Sequence, residues 1–358
     1  MLPCRAQRLN RIRQSPETAK PPETAMPRPP DDKIKQRLRE VRGRLAGILR
    51  KIARRVPLVG PLIERFTARF APAPRFGDAP PRCTPLPAAT FADLEKYCLF
   101  IGYPYSGHSI IGAILSAHPE AVVSNELRDF RYLWEGAARE ELFTAILERD
   151  RQWSEDGCIG GGGYSYAVPG QWQGRYSKLR VIGDKGGGRL SEVIAEKDPR
   201  LLEKMRSWVG LPLRLVHITR NPYDTIATMY ARLGAPPGHF ERDLDGCIRR
   251  YLELAASVHQ STKDLPQDEL LILRHEDFIA RPRDCIGRLC RFVGLDYNEE
   301  YLNDCASIVY ADTHKSRTQI HWPQRALADV KAGIGRYPRE LGGYRFSDGR
   351  SSDGRPAD

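Results

Sequence analysis

The stretch that decides the fold is YCLFIGYPYSGHSIIGAILSAHP, residues 97–119. Residues 97–101 predict a buried strand, residues 102–109 a glycine-bearing loop, and a helix is expected to begin at Ser109. A strand–loop–helix turn of this kind brings backbone N–H groups and the positive end of a helix to one point, which binds phosphate or sulfate. The stretch therefore predicts an anion-binding loop.

The loop also has the spacing of a nucleotide-triphosphate loop, with Gly102, Gly107 and Ser109 in the matching positions. Such a loop needs a lysine before its final hydroxyl residue, but position 108 is His. The loop therefore favours an anion-binding enzyme other than an ATPase.

The composition allows a full hydrophobic core, since 41% of the 358 residues are hydrophobic. We expect one large α/β domain with an appendage. Residues 1–90 carry 20 Lys or Arg and 7 Asp or Glu, a net charge of +13 against +11 for the whole chain, so the remainder sums to about −2. The basic charge belongs to the N-terminal segment, so the folded body gives no reason to expect a nucleic-acid partner.

Eight cysteines are scattered without a C-x-x-C pair, a pattern typical of buried thiols in a reducing compartment. They are Cys4, Cys83, Cys98, Cys158, Cys247, Cys285, Cys290 and Cys305. No run of 18 apolar residues predicts a membrane-spanning helix, and the charged N-terminus has no apolar signal core. We therefore expect a cytoplasmic protein, with peripheral attachment to a membrane left open.

Composition divides the chain into five segments. Residues 1–32 are expected to be disordered, residues 33–70 to form a basic amphipathic helical segment, residues 71–94 a proline-rich linker, residues 95–346 the folded domain, and residues 347–358 a disordered tail. Three interpretations of the basic helix stay open: packing on the protein's own body, pairing with a protein partner, and docking on an anionic membrane surface.

In the folded segment, apolar runs alternate with stretches of helical period. Strands are expected at residues 97–101, 121–123, 179–182, 213–219 and 270–273. Helices are expected at residues 109–116, 140–148, 190–194, 222–233, 244–265 and 285–293. This order predicts an α/β fold with a mostly parallel central sheet and helices on both faces, a P-loop-like nucleotide fold.

Three further motifs at predicted strand ends carry groups suited to chemistry. RNPYDTIAT places Arg220 directly after a strand and Thr228 on the next helix, which together would make a phosphate site. GDKGGG contains Lys185 followed by glycines that let a ligand approach the backbone. SNEL contains Glu126, a carboxylate that can take a proton from a substrate hydroxyl. Each residue taken alone is equally typical of a surface ion pair or a flexible turn.

Together these motifs resemble the sulfotransferases that use 3′-phosphoadenosine 5′-phosphosulfate (PAPS), in particular their bacterial and heparan-sulfate branches, over roughly residues 95–346. GYPYSGHS is similar to the family's 5′-phosphosulfate loop, and RNPYDTIAT to its 3′-phosphate motif. SNELRDF and GDKGGG are similar to the segments that carry a catalytic glutamate and a lysine. LILRHEDFIARPRDCIGRLCRFVGL and HKSRTQIHW follow in the family's order.

The resemblance implies a role for each matching position. The catalytic residues that it implies are Glu126 and Lys185, and we add His108, which departs from the family pattern, as a third candidate. The residues implied to bind PAPS are Tyr105, Ser106, Gly107, His108, Ser109, Arg220, Thr228 and Arg317. It also implies PAPS as the sulfate donor, without a metal ion.

Tyr105 departs from the family pattern, which has Lys or Arg there in contact with the sulfate. A tyrosine offers one neutral donor, and losing one such donor can cost ~10²–10³ in rate. Two compensations are open. Lys185 can act as the main sulfate-facing cation, or a protonated His108 can restore the charge.

The implied reaction is in-line transfer of a sulfuryl group to a hydroxyl or amine of an acceptor, a carbohydrate, small metabolite or lipid. The insertion at residues 156–173, with four successive glycines and several aromatic residues, is a candidate lid over that acceptor. Two alternatives stay open. One is a P-loop nucleotide kinase or NTPase with Asp184 as its Mg²⁺ ligand, and the other is a catalytically degenerate PAPS-binding module.

Overall fold

The computed structural model describes residues 80–160, 164–232 and 243–347. The predictions for the N-terminal disordered segment and the basic helical segment lie outside the described residues. So do the predictions for the first part of the linker and for the polar tail from residue 348 onward.

One five-stranded sheet organises the described part of the chain. Its strands are β1 (Lys96–Gly102), β2 (Ala121–Asn125), β3 (Val181–Lys185), β4 (Leu213–Thr219) and β5 (Leu270–Arg274). They lie in the order β2-β3-β1-β4-β5, and every pairing is parallel. Parallel strands end at the same edge of a sheet, so the loops after all five strands meet along one edge.

Helices cover both faces of this sheet. They are α1 (His108–Ser116), α2 (Phe130–Trp134), α3 (Arg139–Glu155), α4 (Gly188–Glu196), α5 (Leu201–Val209), α6 (Pro222–Ala231), α7 (Leu244–Thr262), α8 (His275–Ala280), α9 (Pro282–Val293), α10 (Glu299–Ser307), α11 (Gln324–Arg336) and α12 (Pro338–Leu341). Alternate residues of β1 point to opposite faces: Leu99 and Ile101 join one core cluster, and Cys98 and Phe100 join the other. The predicted fold class is confirmed.

The observed strands begin or end within one or two residues of the predicted ones, except at β3. The sequence pattern placed that strand at residues 179–182, because Asp184 and Lys185 interrupt its apolar run. In the structure, both polar residues belong to the strand and are buried. Their burial depends on partners from distant parts of the chain, which a local pattern does not contain.

Residues 80–94, assigned from sequence to a linker, lie against α3 in the structure. Arg82 forms a 2.9 Å salt bridge with Glu141, and the backbone N–H of Leu86 donates to Thr144 Oγ1 at 2.9 Å. Phe91 is buried, with its ring 5.3 Å from that of Phe143. The described end of this segment is therefore a packed part of the α/β body.

Two further observations bear on the predictions from composition. Within the described ranges, the seven cysteines are free thiols, and all but Cys83 are buried. Among the same residues, no helix combines the length and the apolar character that crossing a membrane requires.

Candidate active site

The loop between β1 and α1 leaves hydrogen-bonding groups directed at one point. Gly107, at φ 95°, precedes the first turn of α1, and no side chain caps this helix N-terminus. Ser106 is fully buried, and its Oγ has no hydrogen-bond partner among the described residues. A Cβ on Gly107 would lie 2.6 Å from His275 Cδ2, so the backbone can follow this path only with glycine. An unmatched buried hydroxyl beside an uncapped helix N-terminus suits an anionic group.

Tyr105 lies at the turn of this loop, with a left-handed backbone (φ 62°). Arg220 Nη1 donates to the carbonyl oxygen of Tyr105 at 3.0 Å, which ties the loop to the end of β4. The backbone of Tyr105, the residue that departs from the family pattern, is therefore held by a residue at the end of the neighbouring strand.

Lys185, the last residue of β3, connects the loop to Glu126. Its Nζ donates to Glu126 Oε1 at 2.8 Å and to Ser109 Oγ at 3.1 Å. The lysine side chain is 4% exposed and that of Glu126 is 61% exposed. The lysine stem runs along α1, where a Cβ on Gly112 would lie 2.9 Å from Lys185 Cγ. Two predicted catalytic residues and one predicted loop residue are thus in direct contact.

Asp184, the residue before Lys185 in β3, holds the backbone on both sides of Glu126. Its buried carboxylate accepts hydrogen bonds from the backbone N–H groups of Leu127 (3.0 Å) and Arg128 (2.9 Å), and from Ser124 Oγ (2.8 Å). Glu126 and Arg128 both have left-handed backbones, with φ 56° and 65°. Such strain persists only where the surroundings impose it. The sequence analysis considered Asp184 only as a metal ligand, whereas the structure shows it supporting the segment that carries Glu126.

The protonation of Glu126 suits a base. Partial desolvation of this half-open carboxyl raises its pKa, but the ammonium of Lys185, at hydrogen-bonding distance, together with Arg128 and Arg149 outweighs this effect, and the pKa is lowered. Glu126 is therefore ionised at neutral pH, with its oxygens partly open to solvent.

His108 does not supply the replacement cation that the sequence analysis considered. Its side chain is buried, with Nε2 3.4 Å from the carbonyl oxygen of Ile101. Burial, His217 and the nearby Lys185 together lower the pKa of His108 to about 3. The imidazole is therefore neutral at physiological pH, and a protonated His108 is not the form that this structure stabilises.

A second polar cluster joins α6 to the C-terminal part of the chain. Arg220 Nη2 donates to the carbonyl oxygen of His314 at 2.6 Å and to Ser316 Oγ at 3.4 Å. Thr228 Oγ1 lies 2.9 Å from the same Ser316 Oγ. Ser316 therefore brings the two predicted 3′-phosphate residues together. The sequence analysis missed it, although it lies inside the quoted motif HKSRTQIHW.

Arg317 is engaged elsewhere. Its guanidinium forms a buried ion pair with Asp224, and its Nε donates to the carbonyl oxygen of Phe346 at 2.8 Å. Its backbone N–H donates to Asp224 Oδ1 at 2.9 Å. In this arrangement Arg317 positions its neighbour Ser316, and a direct phosphate contact would require its side chain to leave Asp224.

The insertion proposed as a lid brings Tyr166 to the same place. An isolated antiparallel bridge joins Ile159 to Ser165. Burial raises the pKa of the Tyr166 hydroxyl, and a hydrogen bond with Ser109 opposes that rise. The rings of Tyr164 and Tyr166 lie 4.9 Å apart. Tyr164 and Tyr166 therefore place aromatic side chains beside Ser109 and Lys185.

Comparison with known proteins points to one family. Residues 213–299, from β4 to the start of α10, match the family model described as "Sulfotransferase family". A protein-tyrosine sulfotransferase from Drosophila melanogaster is 20% identical over 262 residues, which is 69% of this chain and 49% of that protein. The resemblance to the sulfotransferase family, predicted from the motifs, is confirmed. The chain spans about half the length of this curated relative.

Solved structures give similar matches. The sulfotransferase domain from the curacin biosynthetic pathway is 15% identical, with a TM-score of 0.46, over 70% of this chain and 100% of that domain. Mouse sulfotransferase SULT7A1 complexed with PAP is 12% identical, with a TM-score of 0.38, over 70% of this chain and 88% of the mouse chain.

Proposed function

We propose that this chain is a PAPS-dependent sulfotransferase acting on a hydroxyl or amine of a carbohydrate, small metabolite or lipid acceptor. The observation that carries the proposal is the contact of Lys185 with both Ser109 of the anion-binding loop and Glu126. A cation and a base at hydrogen-bonding distance beside an anion cradle are what sulfuryl transfer needs. The family match over residues 213–299 supports the same class of reaction.

The two ends of PAPS have separate candidate sites. The N–H groups at the start of α1 and the buried hydroxyl of Ser106 would hold the 5′-phosphosulfate, together with Ser109. Arg220, Ser316 and Thr228 would hold the 3′-phosphate. A guanidinium carries five N–H donors, and the three hydrogen bonds of Arg220 leave room for an anion.

The residues divide the work of the reaction. When bound, PAPS supplies an activated sulfuryl group on its 5′-phosphate. Glu126 is ionised and partly exposed, so it can accept the proton of an acceptor hydroxyl. Lys185 is buried and held by Ser109, so it can stabilise negative charge that grows at the loop during transfer. Tyr164 and Tyr166 would form one wall of the acceptor site.

The alternatives meet specific difficulties. A kinase or NTPase would use Asp184 as its Mg²⁺ ligand, but both oxygens of that carboxylate accept hydrogen bonds from the chain. A catalytically degenerate PAPS-binding module would keep the anion sites and would not need the contact between Lys185 and Glu126. The proposal of an active enzyme rests on that contact.

Calorimetry with adenosine 3′,5′-bisphosphate (PAP) in EDTA tests the proposed donor site. We expect binding without Mg²⁺ by the wild-type protein, and a loss of affinity in Arg220→Ala. Radiolabelled PAPS offered with oligosaccharides, phenols, lipid alcohols and tyrosine peptides would then identify the acceptor. Binding of PAP without transfer to any acceptor, and without desulfation of a chromogenic sulfate ester, would favour the degenerate module. Absence of PAP binding would overturn the proposal.

We also propose a cytoplasmic location, and a membrane surface or protein partner for the basic segment at residues 33–70. The net charge of +13 in residues 1–90 supports the proposed partner of the basic segment. The free thiols of the described residues support the proposed location. Sedimentation of the full chain with anionic vesicles, compared with neutral vesicles, distinguishes a membrane partner from a protein partner.

A further inference from the structure

Tyr105, the neutral residue in the anion-binding loop, has an arginine over its ring. The guanidinium carbon of Arg232 lies 5.2 Å from the ring centroid of Tyr105, within the range of a cation–π interaction. Arg232 directly follows α6, the helix that carries Thr228. The positive charge of Arg232 therefore lies at the end of a helix that already contributes Thr228 to the proposed nucleotide site.

The contact can orient Arg232 without using its hydrogen-bond donors. An aromatic face attracts a guanidinium through its plane, so the five N–H groups at the edge stay available to a ligand. A carboxylate partner would instead neutralise the charge and occupy two of these donors. Among the residues that the structure describes, Arg232 is exposed, and no carboxylate of these residues forms an ion pair with it.

The ring of Tyr105 is fixed at its base. Its backbone is left-handed, and its carbonyl oxygen accepts the hydrogen bond from Arg220 Nη1. Burial raises the pKa of the Tyr105 phenol, so the ring stays neutral and presents an apolar face to the cation. Glu192, the nearest acidic influence on Tyr105, already pairs with Arg189 at 2.6 Å and lies 3.8 Å from Arg250. The carboxylate of Glu192 is therefore already neutralised by Arg189 and Arg250.

Two groups that the sequence analysis considered as cations for the sulfate are already paired or neutral. Lys185 is bound to Glu126 and Ser109, and His108 is neutral because of its burial. A phosphosulfate carries negative charge on both its phosphate and its sulfate, so a single lysine leaves part of it unmatched.

We infer that Arg232, held against the ring of Tyr105, is a further binding residue for the 5′ end of the nucleotide. Tyr105 acts as a positioning residue, and its aromatic face replaces a cation in the loop itself by recruiting one from the end of α6. The inference rests on the proposed function, because it assumes that the loop binds a phosphosulfate.

Calorimetry on Arg232→Ala tests the inference, with PAPS, PAP and adenosine 3′-monophosphate as ligands. We expect about tenfold weaker binding of PAPS and PAP, since a charged hydrogen bond to an anion is worth roughly a factor of ten or more. Adenosine 3′-monophosphate lacks the 5′ group, so its affinity should not change. Arg175→Ala is the matched control, because Arg175 also lies over an aromatic ring (Trp172, at 4.8 Å), at a place outside the site.

Substitutions of Tyr105 test whether its ring positions the arginine. Tyr105→Phe keeps the aromatic face that holds Arg232 and should weaken PAPS binding less than Tyr105→Leu does. Tyr105→Leu should lose about as much affinity as Arg232→Ala. The double variant Tyr105→Leu/Arg232→Ala should be no weaker than either single variant, because the two residues act through one contact. Thermal melting of each variant checks that the fold is intact.

The outcomes separate the inference from the proposed function. A wild-type protein that binds PAPS, combined with an Arg232→Ala variant of equal affinity, overturns the inference alone. Equal losses for all three ligands also overturn it, because the effect would then not belong to the 5′ group. A wild-type protein that binds neither PAPS nor PAP overturns the proposed function, and the inference falls with it.

Discussion

At the residue scale, Lys185 is central to the candidate site because it is buried and donates hydrogen bonds to two partners. An ammonium removed from water costs free energy unless it is paired, and here Glu126 and Ser109 provide the partners. The pair holds a base and a cation next to the loop before any substrate arrives. Positions prepared in this way need little reorganisation during a reaction.

Replacement of Lys185 by alanine is expected to reduce turnover by ~10²–10³, the cost typical of losing one preorganised donor. The rate is measured as desulfation of 4-nitrophenyl sulfate in the presence of PAP. The affinity for PAP should change less than the rate, because PAP lacks the sulfuryl group.

Lys204→Ala is the control for this substitution, since Lys204 forms a 2.6 Å pair with Asp198 on the surface. Turnover in Lys185→Ala equal to that of the wild type would show that another residue faces the sulfate.

At the scale of elements, the candidate site depends on a few strand ends and on a segment far along the chain. The short 3₁₀ helix Ser316–Gln319 packs against α6 and places Ser316 between Arg220 and Thr228. The buried ion pair of Arg317 with Asp224 fixes this docking. A contact 88 residues apart in sequence thus completes the proposed 3′-phosphate site.

Thr228→Ala and Ser316→Ala are each expected to weaken PAP binding by about tenfold, because each removes a hydroxyl from the proposed 3′-phosphate site. The affinity is measured by calorimetry. Adenosine 5′-phosphosulfate, which lacks the 3′-phosphate, should bind both variants as it binds the wild type.

Thr318→Ala provides the matched control on the same 3₁₀ helix, because its exposed hydroxyl bonds only the local carbonyl of Lys315. Weakening of both ligands by the same factor would argue against a 3′-phosphate role for this cluster.

At the scale of the whole molecule, the sheet buries acidic groups that make stability depend on pH. Asp129 is buried, accepts a 2.7 Å hydrogen bond from Tyr97 and lies close to Asp184. Burial and the nearby Asp184 carboxylate raise the pKa of Asp129 to about 8. The folded protein therefore retains a proton that the unfolded chain releases near pH 4.

The raised pKa of Asp129 fixes the direction in which the free energy of unfolding should change with pH. A carboxyl with a raised pKa in the folded state contributes its stability at low pH and loses it as the pH rises toward about 8. The free energy of unfolding of the wild type should thus fall, relative to that of Asp129→Asn, between about pH 5 and pH 8. Urea unfolding of both proteins across this range measures the difference, and above pH 8 it should level off.

Titrating groups that do not interact with Asp129 cancel in this comparison, because both proteins contain them. Asp184 does interact with Asp129, so its own titration is part of the measured difference. A difference that stays constant from pH 5 to pH 8 would mean that the pKa of Asp129 in the folded protein does not lie near 8.

The sequence alone determined the fold class and pointed to the main candidate site residues. Buried parallel strands are near-continuous apolar runs, and the anion-binding loop has a local signature, so β1, β4 and α1 could be predicted from short stretches. The residues that follow strands were also predictable, because parallel strands must end at one edge. This is how Lys185, Glu126 and Arg220 were found.

Only the tertiary structure decided what those residues do together. Burial keeps His108 neutral. Contacts between distant segments bring Asp184 to the backbone beside Glu126 and bring Arg232 to the ring of Tyr105. Local sequence determines secondary structure through propensity and periodicity. Charge state and hydrogen-bond partners depend instead on the three-dimensional surroundings, which form only when the sheet brings its strand ends together.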